Sequence, residues 1–497
     1  MSSFSDSASP RYLPLDRNQM RLQPLDVERL IDQQHPARKI WRLVERLDLS
    51  GFETDARALE GHAGRSAHSP HLLVSVWIYA YSKGLHSARE IARQMEYEPG
   101  LEWLTALRPV NHHTLSDFRV NYGQALRELF EQVLAMLTMK KLITLERVAV
   151  DGTKIRADAG KKSFTKAGTI RKHLKLARQH IAELERQEAE EQTTKRRQAA
   201  RQRAAREQEQ RLGEALEEIE RLRAAKKDHK KKEPQASSTD PAARFMRTPD
   251  GGVAPAYNVQ ITADAKHGLI ADLEVVQAAE DSEQIAPAMD RLRASYKRYP
   301  DEALADGSYT NLVSVMDMHE REIDYYSTWT GRAKKMTGRG AQRHEDYRID
   351  RFHFVHFDDE ANEMICPQGQ RLRYRYARRT KGRESFVYRA RAGDCGACEA
   401  RQLCCPDLSL NNGGRSASRT KYDRVIEQFD EKMKRPEALA IYKKRAPLAE
   451  FPNAWIKTKL KLRRFATRGL EKVSCEARWA ALTFNLQRLF ELAPEPA

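Results

Sequence analysis

Two short apolar runs, each closed by Asp-Gly, constrain this 497-residue chain more than any other feature. The first is Arg147-Val-Ala-Val-Asp-Gly-Thr-Lys-Ile-Arg-Ala157; the second is Ala303-Leu-Ala-Asp-Gly-Ser-Tyr309. Val148 and Val150 are β-branched and their run is too short for a helix, so it reads as a buried strand that the Asp-Gly step stops. Each run therefore carries one carboxylate, Asp151 or Asp306, to a strand end. Strand ends far apart in sequence meet readily in one sheet, and hard oxygen ligands meeting there form a Mg²⁺ site.

Charge indicates what such a site acts on. Lys and Arg number 87 against 70 for Asp and Glu, a formal +17, and the excess favours a polyanionic partner, most commonly nucleic acid. The N-terminus lacks a basic segment followed by an apolar one, so no secretory signal is expected. No apolar run approaches the ~18 residues that span a bilayer. Of six cysteines, five crowd between Cys366 and Cys405, which is not the spacing of a secreted disulfide framework. These features predict a cytoplasmic, multidomain protein of two to four domains with reduced thiols.

Residues 1–25 are polar and read as a flexible arm. From 26 to 142 apolar residues recur at three and four (Leu72, Leu73, Val76; Leu126, Leu129, Phe130, Val133), which predicts several amphipathic helices. Thr114 or Ser116 is suited to cap the helix after Pro109 and Asn111. Arg89, His112, His113 and Arg119 lie near its turns; the arginines are candidate DNA contacts, while the histidines also read as ordinary polar turn residues.

A compositional break follows the first strand. Residues 170–235 are dominated by Glu, Gln, Lys, Arg and Ala, strong helix formers, with apolar heptad spacing at both ends. Leu174/Leu222, Ala177/Ile219, Ile181/Ala215 and Leu184/Leu212 are related by a mirror about residue 198. That symmetry suits either a hairpin or one long helix crossing its copy in a dimer, and no Gly or Pro marks a bend at 198. Strand signals resume with Tyr257, Val259 and Ile261 in alternation, then Leu269–Val276, a helix from Ile285, the Asp306 strand, a helix from Val313 and a short strand at Ile323–Tyr326. The order predicts a mixed sheet packed by helices over 143–169 and 236–327. Three other acids compete with the chosen pair: Asp264 ends a strand, Asp281 reads as a helix N-cap, and Asp158 lies too close to Asp151 to end a separate strand.

Residues 328–420 hold a basic loop and a cysteine module: Cys366-Pro-Gln-Gly, Cys395-Gly-Ala-Cys398 and Cys404-Cys405. One Cys-x-x-Cys with further thiols beside turn residues suits structural Zn²⁺, held by Cys366, Cys395, Cys398 and either Cys404 or Cys405. The segment 421–497 is helical and basic. It holds Tyr442, Arg445, Glu450 and Lys457, and in isolation Glu450 reads as a surface ion-pair partner.

Taken together, VAVDGTKIRADAG, TDPAARFMRTPDGGVAPAYNVQ, ALADGSYTN, YKKRAPLAEFPNAWIK and RRFATRGLEKVSCEARWAALTFNLQRL resemble the DDE transposases of bacterial insertion sequences. KGLHSAREIARQM, NHHTLSDFR and the CPQG…CGAC segment fit the same order, so the resemblance spans nearly the whole chain. It implies an α/β protein: a helical N-terminal DNA-binding domain, and a ribonuclease H-like mixed-sheet core interrupted by a coiled-coil helical insertion and a cysteine-rich zinc-type insertion. It further implies that Asp151, Asp306 and Glu450 are the catalytic acids holding two Mg²⁺ or Mn²⁺ ions, with Asp151 bridging them. Tyr442, Arg445 and Lys457 then match a Tyr-Arg-Glu-Lys signature that holds terminal DNA, although four residues, not three, separate Arg445 from Glu450. The implied activity is cutting of element ends and their joining to target DNA by two-metal phosphoryl transfer, by a homodimer associated with the nucleoid. The rival expectations are a nuclease of the same core without strand transfer, a zinc-stabilised DNA-binding protein, and a coiled-coil scaffold.

Overall fold

The computed structural model describes residues 25–53, 67–188, 195–225, 233–248, 251–329, 356–358, 360–380, 383–404, 413–419 and 423–493. The N-terminal arm, the Lys226–Lys232 run, most of the basic loop after Thr328 and Cys405 lie outside the described residues.

The central sheet is built from β1 (Arg147–Arg156), β2 (Val253–Asp264), β3 (Ile270–Val276), β4 (Glu302–Ala305) and β5 (Asp324–Tyr326). The first three strands form an antiparallel meander; β4 then lies parallel to β1 on its other side, and β5 parallel to β4. The order across the sheet is β3-β2-β1-β4-β5, and the short strand Arg244–Arg247 extends the β2 edge. Val148, Ala149 and Val150 are fully buried, as expected of a strand covered on both faces, which reads as a continuous apolar run. The Asp-Gly step does not end β1. The strand runs on to Arg156 beside β2, and only its pairing with β4 stops, after Val150↔Ala305.

Among the described residues six α-helices precede the sheet: α1 (Pro36–Val44), α2 (Pro70–Ser82), α3 (Ala88–Gln94), α4 (Pro99–Thr105), α5 (His112–Asn121) and α6 (Gly123–Met139). Asn111, not Thr114 or Ser116, caps α5, its side chain accepting from His113 N at 2.8 Å. The expected separate helical domain is instead fused to the sheet. The last helix, Leu470–Leu492, is buried all round, which marks a helix inside a core and not on its surface. One side packs on α2, α5 and α6 and the other on β3. Asn485 clamps β3 by accepting from Ile270 N (2.9 Å) and donating to Ile270 O (2.8 Å).

The charged insertion is a hairpin within one chain, formed by α7 (Ala167–Glu188) and α8 (Lys195–Ala225). Arg178–Glu209 (2.8 Å), Arg206–Glu185 (3.3 Å) and Arg171–Glu220 (3.6 Å) tie the helices together over a seam of Ala177, Leu212, Ala215 and Ile219. Helix α8 is continuous through residue 198, so the chain does not reverse at the mirror point. Strong helix propensity at 198 prevails over the heptad symmetry there. Arg244 pairs with Glu218, and Arg221 donates to Gln277 (3.0 Å), fixing the hairpin's base to the sheet.

A second, antiparallel sheet comprises β6 (His356–Asp358), β7 (Glu363–Ile365), β8 (Arg371–Thr380), β9 (Arg383–Arg389) and β10 (Ser416–Arg419), in the order β10-β9-β8-β7-β6. Its small core holds Met364, Leu372 and Tyr388. No helix of the described residues is long and apolar enough to cross a membrane.

Candidate active site at the parallel strand pair

The register of β1 and β4 places the two aspartates. Val150 is the last residue of β1 aligned with β4, opposite Ala305, so Asp151, within β1, and Asp306, just past the end of β4, lie at the same level on adjacent parallel strands. Asp306 ends β4 and caps the next turn, its Oδ1 accepting from Ser308 N at 3.2 Å. Asp151 Oδ1 accepts from Gly152 N (3.0 Å), and Oδ2 accepts from Asn453 Nδ2 (2.8 Å). Burial pushes the Asp151 carboxyl up to about 6, and the charges of Asp281 and Asp306 push the same way. Arg445 and the Gly152 N–H oppose that rise.

Gly152 is required for steric reasons. A Cβ there would lie 2.5 Å from Gln260 Nε2 and 2.6 Å from Asp281 Oδ1. Because neighbouring strand residues face opposite ways, Asp151 and the group beneath Gly152 occupy the two faces of the sheet. In that group Asp281 Oδ1 accepts from Lys154 Nζ (3.0 Å), Asn258 Nδ2 (2.7 Å) and Gln260 Nε2 (2.7 Å). Tyr309 OH closes the network on Gln260 Oε1 at 2.6 Å. Asp281 is therefore not the expected N-cap; Gln284 holds that position, with no side-chain bond. Asp264 is structural, accepting from Thr144 N (2.9 Å) and Leu145 N (2.8 Å), and Asp158 is engaged by Arg464 and Arg468, each at 2.8 Å.

Glu450 stands on the helix Arg445–Thr458, which lays Ala449, Pro452, Asn453 and Ile456 against β1 and β2. Its carboxylate is exposed. Among the described residues no three acids, cysteines or histidines sit close enough together to hold a metal, so Asp151, Asp306 and Glu450 do not converge. The residue of this helix that touches Asp151 is Asn453, one turn beyond Glu450. Residues 450, 453 and 457 follow three-four spacing and share a stripe, which brings Lys457 to the same side. Asn453 is 8% exposed, and its Oδ1 is a buried acceptor without a partner. Sequence reasoning missed it, because an Asn inside a helix carries no local signal.

The other expected contacts divide. Tyr442 OH lies 3.3 Å from Thr328 Oγ1, and the Arg445 guanidinium lies over the Tyr442 ring at 5.9 Å. Arg89 is exposed on α3, near enough to His112 to lower that imidazole's affinity for a proton, after burial and His113. Arg119 must be withdrawn as a DNA contact. It is 5% exposed, donates to His86 O (2.6 Å), lies over Trp77 and faces buried Glu476 at 3.9 Å. A guanidinium enclosed in the core cannot reach a phosphate.

Cys366, Cys395, Cys398 and Cys404 line one cavity of about 30 Å³ beside the second sheet, none of them in a disulfide. Gln370 N donates to Cys366 Sγ and Arg415 N to Cys395 Sγ, both at 3.3 Å. Among the described residues the four do not meet as a ligand set.

A family profile described as "Transposase DDE domain" matches residues 365–490, and one described as "Transposase domain (DUF772)" matches 25–121. No curated protein and no solved structure matches the chain. Asp151 and Asp306 lie between the two matched stretches; Glu450 and the four cysteines lie within the first.

Proposed function

We infer that this chain is a DDE-type DNA transposase of an insertion sequence, an enzyme that acts on DNA and depends on divalent metal. We propose further that its catalytic core is ribonuclease H-like and that Asp151, Asp306 and Glu450 are its acids. The carrying observation is the Val150↔Ala305 register, which sets two carboxylates side by side on parallel strands between the two transposase matches. The meander followed by two parallel strands supports the fold reading.

Asp151 and Asp306 supply donors of the kind that a hard divalent cation takes. Asp151 is buried, crowded by like charge and hard to ionise, a condition that Mg²⁺ or Mn²⁺ relieves; all donors are oxygens. When bound, such ions activate the attacking oxygen and stabilise the leaving one. In the first step water's oxygen bonds to phosphorus and the 3′-oxygen leaves at the element end. In the second, that freed 3′-hydroxyl attacks a target phosphodiester, whose own 3′-oxygen leaves. The chain's part is to hold Asp151 ionised and oriented through Gly152 N and Asn453. Glu450, which does not meet the two aspartates in this arrangement, would join them from the stripe it shares with Asn453.

Tyr442, Arg445, Lys457 and Arg89 contact DNA in this reading, chiefly at phosphates, which position a duplex without reading its sequence. The thiols of Cys366, Cys395, Cys398 and Cys404 hold structural Zn²⁺, supported by the one cavity that all four line. Two element ends must meet, so the working unit is a homodimer at the nucleoid.

The test is Mg²⁺-dependent cleavage and joining of DNA flanking this gene, wild type against Glu450→Gln. Both activities vanish in the variant if Glu450 is the third acid. Cleavage that survives makes Glu450 structural, and cleavage without joining leaves a nuclease.

A further inference from the structure

The second sheet carries a projecting ribbon that the catalytic reading does not use. Strands β8 and β9 pair from Arg373↔Arg389 to Thr380↔Arg383, but only their base is flanked. β7 accompanies β8 no farther than Arg373, and β10 accompanies β9 only over Phe386–Arg389. Every residue of β8 from Arg373 through Arg379 is exposed; Tyr374 is 43% and Tyr376 50% exposed. A two-stranded hairpin alone is marginal in water, so this arm stands because its base is anchored by Leu372, Met364 and Tyr388.

Its chemistry is one-sided. Residues 371–391 contain nine Lys and Arg against a single acid, Glu384. Arg371 and Arg373 share one neighbouring carboxylate, Glu363, at 3.0 and 3.2 Å. The register skips Arg375, passing from Tyr374↔Tyr388 to Tyr376↔Val387. One extra residue therefore bulges there, which sharpens the twist and re-aims side chains. The bulge also turns Tyr374 and Tyr376 to opposite faces, so both faces of the arm present aromatic and cationic groups. An acidic protein surface meets a ribbon on one face; the walls of a DNA groove meet it on both.

We propose that the β8–β9 ribbon lies in the major groove of duplex DNA. That groove admits a two-stranded β-ribbon, with Arg375 and Arg379 placed for phosphates and base edges and Tyr376 packing against the groove wall. This rests on the transposase reading for the presence of DNA, and adds a contact surface to it.

The test is a titration of the full-length protein with a duplex carrying the element end, followed by fluorescence anisotropy over a range of salt. Arg375→Glu/Arg379→Glu should weaken binding tenfold or more and reduce the steepness of log K against log salt by about two units. Tyr376→Ala should weaken binding with the salt slope kept. Because the residues are exposed, melting should not move, and Arg375→Gln/Arg379→Gln gives the same direction if charge reversal unfolds the arm. Unchanged affinity and slope in these variants overturn the proposal, as does a loss confined to single-stranded DNA. If they bind normally while Asp151→Asn abolishes cleavage, the arm is wrong and the transposase reading stands. Wild type that binds no duplex overturns both.

Discussion

In the central sheet the informative charge is an acid, Asp151, that folding has made costly to ionise; in the second sheet the informative charges are bases that folding has left in solvent. Asp151 is enclosed by β2, the Arg445–Thr458 helix and two other carboxylates. Arg375 and Arg379 project from a strand unflanked beyond its base. The contrast follows from coverage. A sheet packed on both faces concentrates field at the few polar groups it retains, whereas a bare ribbon screens its charges and holds them ready for a partner.

That contrast is broken most directly at Asp151. Asp151→Asn should remove detectable cleavage while DNA binding persists in a filter or anisotropy assay; loss of binding with cleavage intact would overturn the site. The same variant has a stability signature. The folded carboxyl, at about 6, lies above its ordinary 3.8, so its favourable contribution is complete below the ordinary value and is lost as pH rises through 6. In metal-free buffer at pH 7 the variant should therefore melt higher than wild type, and the two should converge near pH 4.

A smaller effect is expected at Gly152. Gly152→Ala forces a methyl into Gln260 and Asp281 and should cost about 1–3 kcal/mol, the usual range for overpacking, read by denaturant unfolding. An unchanged midpoint would mean that the Asp281 cluster moves freely and does not shape the site.

The smallest effect on the core is expected from the other sheet. Cys398→Ser should lower zinc content and loosen the second sheet, measured by metal analysis and limited proteolysis, while the main melting transition stays in place. A matching fall in that transition would show that the two sheets are not independent in stability.

Much of the central sheet was legible because its strands are apolar runs or alternations flanked by turn residues: β1, β2, β4 and the helices between them follow the expected order. The Asp306-Gly307 step follows its strand as expected, whereas Asp151-Gly152 lies inside β1. Arg119 was misjudged because its burial depends on Glu476 and Trp77, which come from other helices. The mirror-symmetric insertion left a hairpin and a dimer both open because hydrophobic spacing records which positions meet but not whether they belong to one chain or two.

Local sequence thus determined the elements, the two aspartates, the cationic excess and the cysteine cluster, since each depends on residues within a turn or two of one another. Tertiary structure alone decided that β1 continues past Asp151, that Asn453 rather than Glu450 touches it, that Asp281 sits beneath Gly152, and that the last helix fuses the N-terminal helices to the sheet. These are contacts between segments up to several hundred residues apart, and burial and strand register, which only the folded chain possesses, set their geometry and their charge.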